Sequence, residues 1–374
     1  MSSPLLDTIL SRIREHGPLT VAEYMALALY HPAHGYYAAA PRRSGRGGDF
    51  FTSVDVGPLF GELIAAQLAE CWGVLRRLGA ARFHLVEAGA SDGRLARDIL
   101  DATAREFPEL HDALHVTLVE RSACAVEAQM GNLAEYAARV TFGRDRMPQR
   151  VTGAILANEL LDALPAHRLV VRNGSLREVH ITEADGALIS VELRPSTQRL
   201  EDFVEWLEIA PPEGIFIEAG LAACEWIAAA AGALEQGFLL LFDYGADART
   251  LYSQLHACGT LAAYRRHAVE TEDWLATPGQ VDLTAHVNLT AVRRSAEAAG
   301  LRLLGAVDQT YFLTSLGLAA RLDGGASVTS VRRRLAARTL IMPGGLGSTV
   351  KAMVFGKAVG TPSLQGFASG RLTR

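Results

Sequence analysis

The stretch Phe83-His-Leu-Val-Glu-Ala-Gly-Ala-Ser-Asp-Gly-Arg-Leu95 decides the fold. Its apolar first half predicts a strand, its glycines predict a tight turn, and the helical spacing that follows predicts a helix. Strands and helices continue to alternate along the chain, which implies right-handed crossovers and a parallel sheet. The sequence therefore predicts an α/β fold built on a doubly wound, mostly parallel sheet. The predicted strands of this sheet are Phe83–Ala88, Val116–Val119, Val140–Phe142, Gly153–Ala157 and Gly237–Phe242.

Two later strands and one insertion complete this prediction. Leu301–Val307 and Val350–Phe355 are candidates for an antiparallel pair at one edge of the sheet. Between the fourth and fifth strands the chain is long enough for an inserted β-hairpin subdomain. Its strands are Arg168–Arg172 and Leu176–Ile181, and Asn173-Gly174 between them is typical of a hairpin turn. Leu188–Leu193 is a candidate third strand.

The predicted domains follow from these elements. Apolar residues at helical spacing between Leu5 and Ala28 predict an N-terminal helical cap, which with a glycine-rich loop occupies residues 1–80. The α/β domain occupies residues 81–357, with insertions at about 166–235 and 246–288, and a flexible tail is predicted for 358–374.

Composition excludes several function classes. The chain has 374 residues, 49% of them hydrophobic, which excludes global disorder. Its net charge of −5 argues against a general nucleic-acid binder. No apolar run reaches the roughly 20 residues that span a bilayer. Four isolated cysteines predict neither a disulfide framework nor a metal site. Asp7 and Glu15 argue against secretory and mitochondrial leaders, so we expect a cytoplasmic protein.

The turn after the first strand is the leading candidate for a binding site. Glycines at 89 and 93 let a ligand approach the backbone, and the helix that follows offers free N–H groups. The turn lacks the Lys-Ser/Thr of a P-loop and the third glycine of a dinucleotide motif. Glu87 just before it suits a ligand with a cationic amino-acid end and a ribose, such as S-adenosylmethionine. A plain strand–helix turn is the alternative.

Two acids after the next strands fit the same ligand. Glu120 ends the second strand, where a doubly wound fold places the acid that holds ribose hydroxyls. Asp145 follows the third strand, where an adenine amino group finds an acceptor. The alternatives are a solvated strand-end carboxylate and a turn aspartate.

A third polar cluster follows the fourth strand. Asn158, Glu159 and Asp162 precede the break at Leu164-Pro165 and lie at the carboxyl end of the strand, the edge at which open α/β sheets bind ligands. Asp243-Tyr-Gly ends the fifth strand in the same layer. A helix cap by Asn158 is the alternative interpretation.

Several short motifs, which occur in a fixed order along the chain, resemble those of a known protein family. The sequence resembles the mitochondrial dysfunction protein A family, the methyltransferase-type assembly factors of respiratory complex I and their bacterial relatives, over residues 5–357. The motifs that carry the resemblance are Tyr30-His-Pro32, Gly35-Tyr-Tyr37, Gly48-Asp-Phe-Phe-Thr-Ser53, Phe60-Gly-Glu-Leu63, Leu85-Val-Glu87, Asn158-Glu-Leu-Leu-Asp-Ala-Leu-Pro165, Asp243-Tyr-Gly245 and Asp282-Leu-Thr-Ala-His-Val287.

The resemblance implies a class I, Rossmann-like methyltransferase that uses S-adenosylmethionine. For the mitochondrial members it implies dimethylation of an arginine on a complex I subunit, and hence a protein substrate. A guanidinium acceptor needs carboxylates to orient it, so the candidate catalytic residues are Glu159, Asp162 and Asn158. Glu159 and Asp162 are three apart on a predicted helical turn and able to face one side, and Asp55 and His286 are further candidates. The implied cofactor-binding residues are Thr52, Ser53, Glu87, Gly89, Ser91, Gly93, Glu120, Asp145 and Asn158.

Three departures from the family pattern bear on function. The family's Gly-Pro-Gly-Arg-Gly turn is Gly89-Ala-Ser-Asp-Gly93 here, Thr-Ser-Pro-Glu is Thr52-Ser-Val-Asp55, and Met-Gly-Glu is Leu346-Gly-Ser348. A non-catalytic assembly factor and a small-molecule methyltransferase are therefore the competing functions. The run Arg332-Arg-Arg334 predicts the solvated face of a helix rather than a nucleic-acid contact.

Overall fold

The computed structural model describes residues 3–38, 52–144, 146–265, 268–270, 274–322 and 325–369. The predicted glycine-rich loop and Asp145 lie outside these ranges. The strands of the described residues are β1 (Leu19–Thr20), β2 (Phe83–Ala88), β3 (Leu114–Val119), β4 (Val140–Arg144), β5 (Val151–Asn158), β6 (His167–Arg172), β7 (Ser175–Ala184), β8 (Ala187–Leu193), β9 (Phe216–Ala219), β10 (Leu234–Ala246), β11 (Ala262–Arg265), β12 (Ala268–Glu270), β13 (Asp282–Thr284), β14 (Val287–Asn288), β15 (Arg302–Asp308) and β16 (Val350–Lys357).

Helices connect and cover these strands. The α-helices of the described residues are α1 (Pro4–His16), α2 (Val21–Tyr30), α3 (Leu59–Arg77), α4 (Arg94–Glu106), α5 (Pro108–Ala113), α6 (Ala123–Asn132), α7 (Gln198–Trp206), α8 (Leu221–Ala233), α9 (Ala248–Leu251), α10 (Leu289–Ala298), α11 (Gln309–Ser315), α12 (Val328–Ile341) and α13 (Leu346–Thr349). Short 3-10 helices cover Tyr36–Ala38, Ser53–Val56, Ala134–Arg139, Gln254–His256, Leu318–Arg321 and Gln365–Phe367. None of the helices among the described residues has the length and hydropathy needed to cross a lipid bilayer.

The central sheet confirms the predicted fold class. Its strand order is β15-β16-β10-β5-β2-β3-β4. Neighbouring strands from β10 to β4 are parallel, whereas β16 is antiparallel to both β10 and β15, as the sequence predicts for that edge. Side chains alternate between two hydrophobic clusters, because successive residues of a strand face opposite sides. Leu240 of β10 packs in the cluster with α3 and α4, and its neighbour Leu241 packs in the cluster with α8 and α10.

The insertion is a larger antiparallel sheet than the predicted hairpin. β6 and β7 pair across Asn173 and Gly174, whose φ angles of 51° and 71° are those that a tight hairpin turn requires. β8 and β9 extend the sheet on β7 and β6. β1 of the N-terminal segment pairs with β7, which joins the helical cap to the insertion.

The region around residues 246–288 also contains strands that its weak periodicity did not predict. β11 pairs with β12 and with β13 in a small antiparallel sheet. The predicted flexible tail is wrong for its described part, residues 358–369. Leu364 is buried, and Gly366 donates its N–H to Oε1 of the fully buried Gln67 at 3.1 Å.

Arg333 corrects the prediction that its arginine run is a solvated helix face. Its guanidinium is half-buried and binds both carboxylate oxygens of Glu62, a buried residue of α3. Arg321 binds the same carboxylate. Glu62 thus joins α12 to the helix that covers the central sheet.

A buried ion pair joins the two strands at the antiparallel edge. Lys351 of β16 donates from Nζ to Oδ1 of Asp308 at the end of β15, at 2.6 Å, and both residues are at least 95% buried. The ammonium also donates to the carbonyl of Ser348 at 2.7 Å. Removal of the aspartate leaves a positive charge inside the protein with its main partner lost.

We predict that Asp308→Ala lowers the free energy of unfolding by about 3–5 kcal/mol, because the buried ammonium of Lys351 loses the carboxylate with which it pairs. The double variant Asp308→Ala/Lys351→Met should lose less of the free energy of unfolding, since it also removes the buried positive charge. Urea denaturation measures both. Glu225→Ala, which breaks the exposed pair with Arg199, is the control and should change stability by less than about 1 kcal/mol. Equal losses in the single and double variants would contradict the assignment.

Candidate functional site

A cavity of about 550 Å³ opens at the carboxyl ends of β2, β3 and β5. This is the edge at which open α/β sheets bind ligands. The predicted site residues that line it are Thr52, Glu87, Gly89, Ser91, Glu120, Asn158 and Glu159.

The turn between β2 and α4 needs its two outer glycines. Gly89 has a φ of 70°, and a Cβ there would lie 3.0 Å from Cδ1 of Leu160. Gly93 has a φ of 79° and caps α4, and a Cβ there would lie 2.9 Å from Cδ1 of Leu133. Gly93 does not line the cavity, so it shapes the turn instead of facing a ligand.

Ser91 occupies the middle of this turn in the left-handed region, with a φ of 47°. Both of its backbone groups are bound by side chains. Its N–H donates to Oε2 of Glu120 at 2.9 Å, and its carbonyl accepts from Nε2 of Gln129 at 2.7 Å. Asn132, one turn further along α6, binds the carbonyl of Asp92 at 2.8 Å. Sequence reasoning missed Gln129 and Asn132, because polar residues on a surface helix carry no distinctive signal.

Glu120 holds the turn and the loop after β3 together. Besides Ser91, it accepts the N–H groups of Arg121 and Ser122 on Oε1, at 2.7 and 2.9 Å. A carboxylate offers about four lone-pair sites, so these three bonds leave room for one more donor. The contact of Glu120 with a ribose stays a prediction, and the three backbone bonds leave one acceptor site for it.

Glu87 lies at the base of the cavity, 4% exposed. Burial, with a smaller contribution from nearby Asp92, raises the pKa of its carboxyl group to about 8. Its Oε2 atom is buried and has no hydrogen-bond partner among the described residues. Oδ1 of Asn158, at the end of the neighbouring strand β5, also has no hydrogen-bond partner among the described residues. Buried polar atoms normally have partners, so both atoms indicate a ligand with polar and cationic groups.

Glu159 follows β5 in a loop, so the predicted helical turn carrying Glu159 and Asp162 is wrong. The residue has a φ of 51°, and its N–H donates to the carbonyl of Phe242 in β10 at 2.7 Å. Oε1 accepts from the N–H of Ser53 at 3.2 Å and from Nδ2 of Asn158 at 3.4 Å. Burial first, and the neighbouring Asp162 second, raise the pKa of Glu159 to about 8.

Asp162 lies behind the wall of the cavity rather than in it. It is 8% exposed, and burial raises the pKa of its carboxyl group well above the usual range, with Asp243 and Asp282 raising it further. Tyr37 donates its hydroxyl to Asp282 at 2.9 Å. Glu159 and these three aspartates therefore form a concentration of acid beside the cavity.

Thr52 and Ser53 belong to the N-terminal segment and lie beside Glu159 and the cavity. The N–H and hydroxyl of Thr52 both donate to Oδ2 of Asp55 at 3.0 Å, and Asp55 also binds the guanidinium of Arg94 at 2.7 Å. Ser53 does not line the cavity but binds Glu159 through its N–H. The contribution of these residues is therefore to position the loop and the carboxylate of Glu159.

Gln309 is a positioning residue that the sequence did not reveal. It is fully buried at the start of α11, where its Oε1 accepts the hydroxyl of Ser53 at 2.9 Å. Its Nε2 donates to the carbonyl of Leu340 in α12 at 2.9 Å. The side chain thus connects α12 to the backbone that binds Glu159.

The N-terminal cap contributes Tyr30 to the wall of the cavity. Its hydroxyl donates to the carbonyl of Ala163 at 2.9 Å, and its ring contacts that of Tyr37 with centroids 5.4 Å apart. The guanidinium of Arg121 lies 6.0 Å from the centroid of the Tyr30 ring. In the sequence the motif Tyr30-His-Pro32 carries only the family resemblance, whereas in the structure its tyrosine lines the cavity. The described residues contain no cluster of three or more His, Cys, Asp or Glu that could hold a metal ion.

Comparisons with known proteins agree with this geometry. Residues 63–307 match the family described as "Putative S-adenosyl-L-methionine-dependent methyltransferase". Protein arginine methyltransferase NDUFAF7, mitochondrial, is 32% identical over 358 residues in Mus musculus (86% of this chain, 76% of that one) and 30% identical over 356 residues in Homo sapiens (86% and 75%). The crystal structure of a Burkholderia thailandensis protein with bound S-adenosyl-homocysteine has a TM-score of 0.87 at 26% identity, covering 99% of this chain and 98% of that one.

These relatives correct one expectation and confirm another. The expected cytoplasmic location is contradicted, because the curated relatives from mouse, fruit fly and human are all named as mitochondrial proteins. The resemblance found in the sequence is confirmed. The chain belongs to the family of S-adenosyl-L-methionine-dependent methyltransferases, and S-adenosylmethionine is its cofactor.

Proposed function

We propose that this methyltransferase methylates an arginine side chain of a partner protein. The observation that carries the proposal is the concentration of acid at the cavity, where Glu159 and three buried aspartates lie together. Such a site favours a cationic acceptor and repels a carboxylate or a phenolate. The names of the relatives support the same acceptor, and the family resemblance favours a subunit of respiratory complex I as the partner.

Within this proposal, the first group of residues binds the cofactor. Glu87 has the free, buried carboxylate oxygen that suits the ammonium of the amino-acid end, and Asn158 has a free amide oxygen. The turn at Gly89 and Ser91 lets the ligand approach the backbone closely, and Glu120 has one acceptor position left for a ribose hydroxyl. Bound S-adenosylmethionine supplies a methyl group that its sulfonium activates for transfer.

The second group holds the acceptor. A guanidinium is charged at all physiological pH values and presents a planar fork of N–H donors that matches a carboxylate. Glu159 faces the cavity and its Oε1 is fixed by Ser53 and Asn158, so its orientation is set before an acceptor binds. Asp162 and Asp243 lie behind Glu159 without entering the cavity, and a bound cation would favour the ionised forms that burial disfavours. Holding the reacting nitrogen in one orientation supplies most of what a methyl transfer needs from the protein.

Glu159 also has the position to take the proton. The nitrogen that gains the methyl group must lose one N–H proton, and the ionised carboxylate of Glu159 is the acceptor that we assign. Because its pKa is about 8 in the protein without ligands, the carboxyl group is largely protonated at lower pH. The ratio kcat/KM, which reports the free enzyme, should therefore rise with pH up to about 8.

We predict that Glu87→Gln weakens cofactor binding by about 1.5–3 kcal/mol at pH 9, where the wild-type carboxylate is ionised and pairs with the ammonium. Wild-type affinity should fall as the pH drops below about 8, because binding must then expel the proton that Glu87 carries. Isothermal titration calorimetry with S-adenosyl-homocysteine, in two buffers of different ionisation enthalpy, measures both the affinity and the released proton.

The control for this experiment is Glu235→Gln, which alters an exposed glutamate paired with Arg150 far from the cavity. It should bind like the wild type at every pH. An affinity of Glu87→Gln within about twofold of the wild type at pH 9 would show that Glu87 does not contact the cofactor.

We predict that Glu159→Gln lowers turnover by at least about a hundredfold while cofactor affinity changes little, because the amide keeps the shape of the side chain but can neither pair with a guanidinium nor take a proton. Mass spectrometry of cellular proteins tests the substrate in the same experiment. One arginine should gain two methyl groups in cells with the wild-type enzyme and none in cells with Glu159→Gln.

Two outcomes test the proposed arginine acceptor and the proposed role of Glu159 independently. A methylated metabolite with no change in any protein would replace the proposed function by a small-molecule methyltransferase. A protein arginine methylated equally by the wild type and Glu159→Gln would keep the function and reject Glu159 as the residue that holds it.

A further inference from the structure

Helix α12 presents an apolar stripe to solvent on the side away from its core contacts. Val328, Val331 and Leu335 follow one another at intervals of three and four residues, so they lie on one face of the helix. Their exposed fractions are 67%, 41% and 57%, and Met342, just past the helix, is 41% exposed. Ala336, Ala337 and Leu340 occupy the opposite, buried side.

An open groove continues the stripe on one side. It has a volume of about 780 Å³ and lies between α12 and the 3-10 helix Leu318–Arg321. Its apolar lining includes Leu318, Leu322, Ala337, Ile341 and Pro343. The stripe and the groove lie side by side along α12, which for 14 residues is about 21 Å long. Contiguous apolar surfaces of this kind mark interaction sites.

Arginines lie on both sides of the apolar stripe. The α12 sequence contains four arginines and no acidic residue, although the whole chain has a net charge of −5. Arg333 faces inward to Glu62, but Arg332 and Arg338 are exposed and pair with no acid among the described residues. Helical geometry places them on opposite sides of the stripe. Arg334 and Arg338 line the groove itself.

We infer that this surface, formed by α12 and the adjoining groove, binds an acidic amphipathic helix of another protein. An apolar stripe on the partner covers Val331 and Leu335, and carboxylates beside that stripe pair with the flanking arginines. Two copies of this chain packed through α12 would instead bring Arg332 and Arg338 of both copies together. Like charges at that distance oppose self-association, so the charge pattern selects an acidic partner over a second copy.

The test uses a fluorescein-labelled peptide of about 16 residues, with leucines at helical spacing and glutamates at the other positions. Fluorescence anisotropy should show saturable binding that weakens as salt is raised. A peptide with lysines in place of the glutamates should not bind. Leu335→Ser and Arg338→Glu should each weaken binding of the glutamate peptide about tenfold.

Matched controls alter equivalent residues elsewhere. Leu255→Ser changes a leucine that is 73% exposed, and Arg293→Glu changes an exposed arginine of α10. Both should bind the peptide like the wild type. All four variants should keep the wild-type affinity for S-adenosyl-homocysteine, which shows that they are folded.

Three results would overturn the inference. They are equal binding of the glutamate and lysine peptides, no binding of either, and unchanged binding by Arg338→Glu. A fourth result would come from sedimentation velocity. If the wild type is a dimer and Leu335→Ser is a monomer, the surface binds a second copy of this chain instead. None of these results bears on the acceptor arginine, which is tested separately by Glu159→Gln.

Discussion

The carboxylate of Asp243 is the contact on which the shape of the site depends. It lies near the carboxyl end of the central strand β10 and is 4% exposed. It accepts three backbone N–H groups: those of Leu160 and Leu161 at 3.2 and 2.7 Å and that of Tyr244 at 2.9 Å. Leu160 and Leu161 belong to the loop that follows the neighbouring strand β5. Because this acid binds the loop from below, Glu159 is held with a φ of 51° and its side chain faces the cavity instead of continuing a helix. The strained conformation persists because the surrounding contacts determine it.

The same arrangement concentrates carboxyl groups that have raised pKa values. Glu87 and Glu159 have pKa values of about 8, and that of Asp243 is about 7, chiefly because burial disfavours the charged form. A carboxyl group whose pKa is higher in the folded than in the unfolded state destabilises the fold as pH rises from its ordinary pKa through the raised value. The burial of these acids therefore lowers the free energy of unfolding near neutral pH. Cationic ligands reverse that loss when they bind, which couples occupancy of the site to stability.

The sequence predicted the parts of the fold that local pattern determines. β2 has the predicted bounds, the antiparallel pair β15 and β16 lies at the expected edge, and Asn173-Gly174 forms the predicted turn. Long-range pairings had no such signal. The pairing of β1 with β7 joins residues about 160 positions apart in the sequence. The hydrogen bonds from Gln309 to Ser53 and Leu340 depend on tertiary packing alone. At the site, strand-end acids were found because their place is fixed by the sheet, whereas the backbone of Glu159 and the bonds of Gln129 are set by neighbours distant in sequence.

Ser91 shows how the chain accommodates its departure from the glycine-rich turn of the family. A left-handed conformation costs a residue with a Cβ roughly 1–2 kcal/mol relative to glycine. Here the N–H of Ser91 binds Glu120 and its carbonyl binds Gln129, so both backbone groups have partners that hold the turn in this conformation. Hydrogen bonds to a charged group contribute about 1.5–3 kcal/mol, enough to offset the strain. Glu120 therefore shapes the turn as well as facing the cavity, and loss of its carboxylate would disturb the backbone approach at Gly89 and Ser91 together with any contact to a ribose.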